Sequence, residues 1–300
     1  MATKTSLLGL TKPAYTEAAD IAVLNTNFDL IDKAVGQGAR VQNLLDNSDF
    51  RNPINQRGIT SGATVAAWSY SIDRWLNYTG SAGTMTFTNE GIRYSFSNLQ
   101  QPIPPTVKTG TVVTAAAKWS DGTLLTATGT ITRGTAWTWF HSSAAGGCQI
   151  GVADQGNSNS VHVSIVSGEK TLIWAALYEG AYTAETLPTY VYKGYAAELA
   201  ECRRYYLHVG ADDNAWLAGK YVLGWGLVVE FPVQMRVNPT IQIGSAGSVM
   251  AFSSAGWETV SYGSTAVRGG ITYVVLGSPA NVSPGDTCLV KGIAGLSADL

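Results

Sequence analysis

The sequence is poor in charged residues. Only 13% of its 300 residues are Asp, Glu, Lys or Arg, against about 25% in an average soluble domain. The net charge of -2 at pH 7 offers no basic face, so a nucleic-acid partner is not expected. Ser, Thr, Asn, Gln and Gly must therefore supply the polar surface. That choice suits strands and turns, and chains whose surfaces meet other chains.

Long apolar runs and cysteine pairs are lacking as well. The longest apolar stretch, YVLGWGLVV before Glu230, is about half of a ~20-residue membrane span, so no membrane insertion is expected. The first ten residues contain too short an apolar run for a signal peptide, which predicts a protein made in a cytosol. Cys148, Cys202 and Cys288 form no CxxC or metal spacing and are predicted to be buried free thiols.

Common catalytic signatures are missing. The chain contains no GxSxG, HExxH or GxxxxGK[ST], the patterns of many hydrolases, zinc proteases and phosphate-binding loops. A glycoside-cleaving carboxylate pair requires a separation that sequence spacing does not show. The acidic residues that remain open for such a pair are Glu179, Glu185, Glu198 and Glu201. We therefore predict no catalytic residue, no metal and no cofactor, and expect the chain not to be an enzyme.

One long helical pattern is present near the front, DIAVLNTNFDLIDKAV at residues 20–35. Its apolar residues follow the heptad spacing of helices that associate; they are Ile21, Leu24, Phe28, Ile31 and Val35. Asp20 is predicted as the N-cap and Gly36 as the C-terminal stop. So short a helix is marginal alone in water. It packs on the protein's own strands, or it self-associates or docks on a larger assembly. Gly36 and Gly38 suggest a flexible joint, which favours association through an attachment segment over residues 1–42.

From Val41 the pattern changes to a segment rich in Asn, Asp and Pro, followed by short strand-like runs with no helix between them. Residues 43–195 are predicted to form a β-sandwich or a jelly roll. Residues 118–122 and 167–170 are predicted to close two hairpins. Alternation in SVHVSIV predicts one buried and one wet face, with His162 on the wet one. Asp73 and Arg74 are expected to form an ion pair.

Beyond the sandwich, a short helix is predicted from Ala196 to Arg204, and a strand near Tyr205. Further strand-like runs separated by Gly and Pro follow it. The predicted fold class is thus mainly β, with an N-terminal amphipathic helix, a β-sandwich or jelly roll and a second, C-terminal β domain over residues 196–300.

Aromatic residues are abundant, with nine Trp and fourteen Tyr. Trp137 and Trp139 lie two apart in a predicted strand and so share one face, where an exposed pair can stack against sugar rings. The alternative is that the tryptophans fill the core of the sandwich. The candidate glycan-binding residues are Trp137, Trp139, Trp216, Trp225 and Trp257.

Five stretches, in order along the chain, carry a family resemblance. They are LTKPAYTEAADIAVLNTNFDLIDKAV, NLLDNSDFRNPINQRG with the later YSIDRW, WAALYEG, YAAELAECRRYY and VEFPVQMRVNPTI. Together they resemble bacteriophage tail fibre, tail-tip and receptor-binding proteins. WAALYEG departs from the usual pattern of a closing jelly-roll strand, because Tyr178 intervenes before Glu179. The resemblance reaches from about Leu10 to Ile241, and no motif is recognised from Gly244 onward.

The resemblance implies a virion component of a phage tail, assembled in the host cytoplasm and forming a homotrimer. Tail or baseplate proteins would hold its N-terminus, and β-domains like carbohydrate-binding modules would bind host surface polysaccharide. It implies no catalytic residue. Two alternatives stay open: a purely structural baseplate, collar or decoration protein, and a polysaccharide depolymerase or esterase.

Overall fold

The computed structural model describes most of the chain. The described residues are 3–5, 10–14, 20–38, 41–133, 137–155, 161–210, 217–222, 226–231, 233–243, 248–253, 256–268, 271–277, 279 and 282–299. For residues 32–38, 137, 155 and 253 only the backbone is described. The fold is mainly β, as predicted, and every strand pair whose register is described is antiparallel.

The elements follow one another in the order in which the sequence pattern changes. The front contains β1 (Thr3–Lys4), β2 (Thr11–Lys12) and α1 (Ile21–Gly38). Six short strands come next: β3 (Ala63–Val65), β4 (Ser69–Tyr70), β5 (Leu76–Asn77), β6 (Gly83–Thr88), β7 (Gly91–Tyr94) and β8 (Leu99–Pro102). Six longer strands follow: β9 (Val112–Trp119), β10 (Leu124–Thr130), β11 (Trp137–Ser143), β12 (Gln149–Gln155), β13 (Val161–Val166) and β14 (Leu172–Glu179).

A short helix then precedes the last set of strands. Helix α2 covers Tyr195–Arg203, within one residue of its predicted bounds, and a strand follows near Tyr205 as predicted. The remaining strands are β15 (Tyr206–His208), β16 (Leu217–Val222), β17 (Gly226–Phe231), β18 (Thr240–Ile243), β19 (Met250–Ser253), β20 (Gly256–Thr259), β21 (Tyr262–Arg268), β22 (Ile271–Leu276), β23 (Thr287–Lys291) and β24 (Ile293–Ser297).

The chain divides into two compact units, and each unit is made of two separate stretches of sequence. The first unit comprises Met1–Leu45 and Pro102–Tyr192, and the second comprises Asp46–Gln101 and Lys193–Leu300. The domain boundaries after residues 42 and 195 stay predictions.

In the first unit, β9 lies between β10 and β14, and β12 lies between β11 and β13. Gly129 of β10 faces the ring of Phe140 in β11, and a Cβ at Gly129 would come within 2.5 Å of that ring. The absence of a side chain at Gly129 therefore lets strands β10 and β11 approach closely at this point.

The two predicted hairpins have different outcomes. β9 and β10 pair across the turn at Gly122, which has a φ of 94°, so this hairpin is confirmed. At residues 167–170 a turn is present, with the Lys170 N–H donating to the Ser167 carbonyl at 3.1 Å. The hairpin predicted there is wrong, because β13 pairs with β12 whereas β14 pairs with β9. Turn residues specify that the chain reverses, but not which strand becomes its neighbour.

The wet face predicted for β13 is also wrong. All five residues from Val161 to Ile165 are buried. His162 and Ser164 are among them, and each has an interaction partner. A polar side chain can be buried once it is hydrogen-bonded, so an alternating pattern of residue types does not always mean alternating exposure.

In the second unit, β6 lies between β3 and β7, and β5 lies between β4 and β8. A seven-stranded sheet follows the order β20-β19-β23-β16-β17-β22-β21, and a smaller sheet follows β15-β24-β18. A continuous apolar core joins these two sheets; it includes Leu207, Leu227, Val229, Val274, Val290 and Leu296.

All three cysteines are free and buried, as predicted. Burial raises the pKa of the Cys202 thiol, which keeps it protonated and unreactive. Within the part of the chain that the structure describes, no helix has the length and apolar character needed to span a bilayer.

Candidate functional site

The N-terminal helix begins with the predicted cap. The N–H of Ala22 donates to the Asp20 carboxylate at 2.8 Å, and the N–H of Leu24 donates to the Asp20 carbonyl at 3.1 Å. The stop predicted at Gly36 is wrong, since the helix ends at Gly38. A glycine costs a helix about 1 kcal/mol relative to alanine. This cost makes the helix less stable at Gly36 but does not by itself end it.

A short hairpin is attached to one flank of this helix. The Asn27 side chain accepts from the N–H of Thr11 and donates to the carbonyl of Thr11, both at 2.9 Å. The amide thus pairs with β2 as a neighbouring strand would. Asn27, Val23 and Leu30 are half-buried and lie four and three residues apart, on one stripe of the helix.

The predicted association stripe lies on a different, exposed side of the helix. Ile21 and Phe28 are 69% and 63% exposed, and Leu24 and Ile31 are about 40% exposed. Val35 lies within the helix, but its side chain is outside the described residues. The protein's own described residues therefore leave these four apolar side chains largely uncovered.

Trp139 is half-buried in the first unit. Its ring is stacked on His141, with ring centroids 5.1 Å apart and an interplanar angle of 21°. The end of its indole approaches the position that a Cβ at Gly151 would occupy, at 2.7 Å. The ring thus lies over the neighbouring strand, and part of its surface stays accessible.

Trp257 belongs to an aromatic row on the seven-stranded sheet. Phe252 pairs with Trp257 on one side and with Leu289 on the other, and both Phe252 and Leu289 are exposed. The Lys291 ammonium lies 4.5 Å from the centroid of the Trp257 ring, within the range of cation–π attraction. This face of the sheet is the one opposite the buried Ala251 and Val290.

The other three predicted glycan-binding side chains lie outside the described residues. Trp216 and Trp225 lie outside the described residues, and only the backbone of Trp137 is described, in β11. Trp139 and Trp257, whose side chains are described, lie in different units. Trp68, which the sequence pattern did not indicate, is 59% exposed.

A buried polar cluster in the second unit is centred on Asn47. The Asn47 side chain donates to the carbonyls of Ile54 and Asp73 at 2.8 and 2.7 Å and accepts from the Ile54 N–H at 2.6 Å. Its backbone N–H donates to the Glu198 carboxylate at 2.6 Å, and its carbonyl accepts from the Trp75 indole at 2.8 Å. Asn47 also has a φ of 52°, a conformation that Asn tolerates better than most residues.

Arg74 extends this cluster, and the ion pair predicted for it is wrong. Its Nε donates to Asp46 at 3.2 Å rather than to Asp73, and its guanidinium lies 3.4 Å from the centroid of the Tyr205 ring. Asp73 instead accepts from the backbone N–H of Gln56 at 2.6 Å. Adjacent residues on a bent segment point apart, so Asp73 and Arg74 find separate partners.

Several stretches that carry the family resemblance are joined by these bonds. In the second unit, Asn47 links the opening segment to YSIDRW and to the Glu198 helix, and the Arg236 N–H donates to the Arg204 carbonyl at 2.9 Å. In the first unit, the Asn43 side chain accepts from the Leu177 N–H at 2.9 Å, which joins the opening segment to WAALYEG. The quoted residues therefore have structural roles at these positions.

Burial changes the acidity of two carboxyls in the cluster. Desolvation raises the pKa of Asp73 to about 6, although the Gln56 N–H and the positive charge of Arg57 act to lower it. Desolvation likewise raises the pKa of Glu198, and the Asn47 N–H opposes that shift.

The candidate carboxylates for glycoside cleavage are engaged separately. Glu198 is buried against Asn47, Glu201 pairs with Arg204 at 3.3 Å, and Glu185 accepts from the Thr183 hydroxyl at 2.7 Å. Within the described residues, no group of three or more His, Cys, Asp or Glu side chains is placed to hold a metal ion. Comparisons with protein-family models, with curated proteins and with solved structures found no match to this chain.

Proposed function

We propose that this chain is a structural protein of a bacteriophage tail, a virion component attached by its N-terminus and assembled as a homotrimer. Its β-rich remainder would bind polysaccharide on the host surface, and it would carry out no catalysis. The observation that carries the proposal is the exposed apolar stripe of α1, at heptad spacing and beside a flank that the protein's own hairpin already occupies.

The exposed stripe is large enough to drive association. Covering the four described side chains would remove on the order of 400 Å² of apolar surface per chain, or about 10 kcal/mol gross at ~25 cal/mol per Å². Ordering the helices offsets much of this amount. Apolar residues at heptad spacing are those that pack between helices of a parallel bundle, so other copies of the chain are the natural cover.

The linked stretches support the family assignment within this proposal. Loosely matching motifs that are far apart in sequence need not touch in an unrelated fold. Here Asn43 bonds to Leu177, and Asn47 bonds to Glu198. These contacts show that the matching stretches pack against one another, as parts of one fold would. We take this as support for the resemblance.

The finer architecture also belongs to the proposal. We assign residues 1–42 to an amphipathic attachment segment, residues 43–195 to a jelly-roll sandwich and residues 196–300 to a C-terminal β domain that binds the receptor. Antiparallel strands and the close contact of Gly129 with Phe140 favour the sandwich. Tail or baseplate proteins would contact the attachment segment.

Glycan binding is supported by the accessible surface of Trp139 and by the row that contains Trp257. The Lys291 ammonium, which lies over the Trp257 ring, suits a sugar that carries a carboxylate. A second candidate function is purely structural, in a baseplate, collar or decoration protein. The contacts of Trp139 with His141 and of Trp257 with Phe252 favour it, because they already cover part of each ring.

The assembly is tested by placing charges in the stripe. The wild-type chain is expected to have the mass of a trimer by light scattering, whereas Phe28→Asp with Ile31→Asp is expected to be monomeric, because two buried carboxylates per helix cannot pair. The matched control is Ala22→Asp with Thr26→Asp, which adds the same charge at exposed positions on the side of the helix away from the stripe.

The control is expected to remain trimeric and to be incorporated into particles. A monomeric wild type that is not incorporated, or a Phe28/Ile31 variant that assembles normally, would contradict the proposal. Loss of host adsorption with normal incorporation, after Trp257→Ala, would place receptor binding in the C-terminal domain.

A further inference from the structure

Trp68 and Tyr78 form an exposed aromatic pair in the second unit. In the β4–β5 ladder, Ser69 pairs with Asn77, so the next positions outward are Trp68 and Tyr78. Their ring centroids are 4.7 Å apart and the ring planes are nearly perpendicular, at 88°. Tyr78 thus fixes the orientation of an indole that is 59% exposed.

The two loops that carry this pair are held together by Asn77. This buried side chain donates to the carbonyls of Val65, Ala66 and Ser81 at 3.3, 3.0 and 3.1 Å. It also accepts from the Thr79 hydroxyl at 2.7 Å. The connections from β3 to β4 and from β5 to β6 are therefore pinned on both sides of the aromatic pair, which makes the surface rigid before any ligand binds.

Trp68 has an unfavourable backbone conformation. Because its side chain is exposed, burial of the indole does not compensate for the strain. Its φ is 55°, in the left-handed region that bulky residues rarely occupy. A glycine or asparagine would fit the same turn with less strain. Strain of this kind, held by surrounding hydrogen bonds, is concentrated at binding surfaces.

We propose that Trp68 and Tyr78 form a binding site for a neutral hexopyranose, a ring of a surface polysaccharide. No charged side chain occurs in residues 58–72 or 75–89, so a charged ligand would find no partner in either loop. Among the described residues the Trp68 indole N–H has no acceptor, and a sugar hydroxyl can take that place. The C–H face of the sugar stacks on the indole, whose π-face carries partial negative charge.

A sugar fits this surface better than a second copy of the chain. The core of a protein–protein interface needs a contiguous apolar patch, whereas here one pair of rings lies beside Ser69, Thr79 and Ser81. The inference deepens the glycan binding proposed above, since it gives that role a defined site. It does not depend on trimer formation through α1.

The site is tested on the full-length protein by saturation-transfer NMR, with the methyl glycosides of glucose, galactose and mannose as probes. Saturation is expected to reach the ring C–H protons of at least one probe. Trp68→Asn, which suits the positive φ and so should fold normally, is expected to weaken that binding by about tenfold or more. Trp68→Phe should retain part of it.

Tyr262→Ala serves as the matched control, because Tyr262 is an exposed aromatic residue on the seven-stranded sheet. Its signal should equal that of the wild type, as should that of Phe28→Asp with Ile31→Asp. The inference is overturned if the wild type transfers no saturation to any probe. It is equally overturned if Trp68→Asn binds as well as the wild type, or if Tyr262→Ala loses binding equally. Binding through Trp257 instead would preserve the proposed function while removing this site.

Discussion

At the residue scale, Asn47 concentrates more structural roles than any sequence pattern suggested. Every polar group of this residue is used, and its backbone is left-handed. Replacing it with alanine would leave several buried partners unpaired and would strain the backbone. We expect Asn47→Ala to lower the free energy of unfolding by at least about 3 kcal/mol, measured by urea denaturation.

The control for this change is Asn52→Ala, in the same segment but at an exposed position. Its effect is expected to stay within about 0.5 kcal/mol. Similar losses for both substitutions would show that Asn47 has no special role.

The buried carboxyl of Asp73 makes stability depend on pH. Its pKa in the folded protein is about 6, above the ~3.9 of an unperturbed Asp. The folded state therefore holds the proton more tightly than the unfolded state does. Stability from this group is complete below about pH 4, falls as pH rises towards 6, and is constant above that value.

The measurement compares the wild type with Asp73→Asn between pH 3.5 and 7. Relative to the variant, the wild type is expected to lose up to about 3 kcal/mol of unfolding free energy across this range. A difference that is flat with pH, or that grows in favour of the wild type, would contradict the assignment.

Local chemistry at single residues was partly predictable. The cap at Asp20 and the buried thiols follow from rules that act over a few residues. The bond from Asn47 to Glu198 spans 151 residues of sequence, and no local rule reports on such a distance. Arg74 likewise pairs with Asp46 because the fold brings them together, while its sequence neighbour Asp73 faces Gln56.

At the scale of elements, Gly129 determines how closely β10 can approach β11. A Cβ at this position would come within 2.5 Å of the Phe140 ring. We expect Gly129→Ala to destabilise the protein by about 1–3 kcal/mol through overpacking, measured as a lower thermal midpoint.

Gly80→Ala is the control, because a Cβ at Gly80 would meet no atom within 4 Å. It should leave the thermal midpoint nearly unchanged. If Phe140→Leu restores the stability of Gly129→Ala, the clash is located at that ring; a failure to restore it would place the strain elsewhere.

Elements were easier to predict than their pairing. Helix α2 and the β9–β10 hairpin follow from local periodicity and an Asp-Gly turn. The turn at residues 167–170 has equally clear chemistry, yet it connects strands with different partners. Which strands become neighbours depends on the burial of whole faces, a non-local property that short patterns do not contain.

At the scale of the whole molecule, four described apolar side chains of α1 are left exposed. If copies of the chain cover them, unfolding becomes coupled to dissociation, and the thermal midpoint rises with protein concentration. We expect this rise in the wild type and its absence in Phe28→Asp with Ile31→Asp. A midpoint independent of concentration in both proteins would indicate that α1 stays solitary.

The mainly β composition was predictable at this scale, because turns and short strand-like runs recur along most of the sequence. The aromatic surface was not. Trp68 owes its prominence to a positive φ and to the anchor at Asn77, neither of which a residue type reveals. Trp139 was predicted from its residue type and spacing and Trp257 from its residue type alone, and the structure gives each a ring neighbour.

The clamp between Asn27 and Thr11 has a geometric consequence for any such bundle. The β1–β2 hairpin is attached to the side of α1. A bundle of three helices packed along their apolar stripes would therefore carry three hairpins on its outer surface. The open edge of each hairpin would then offer backbone amides and carbonyls for pairing with strands of a neighbouring protein, which would hold the bundle in place.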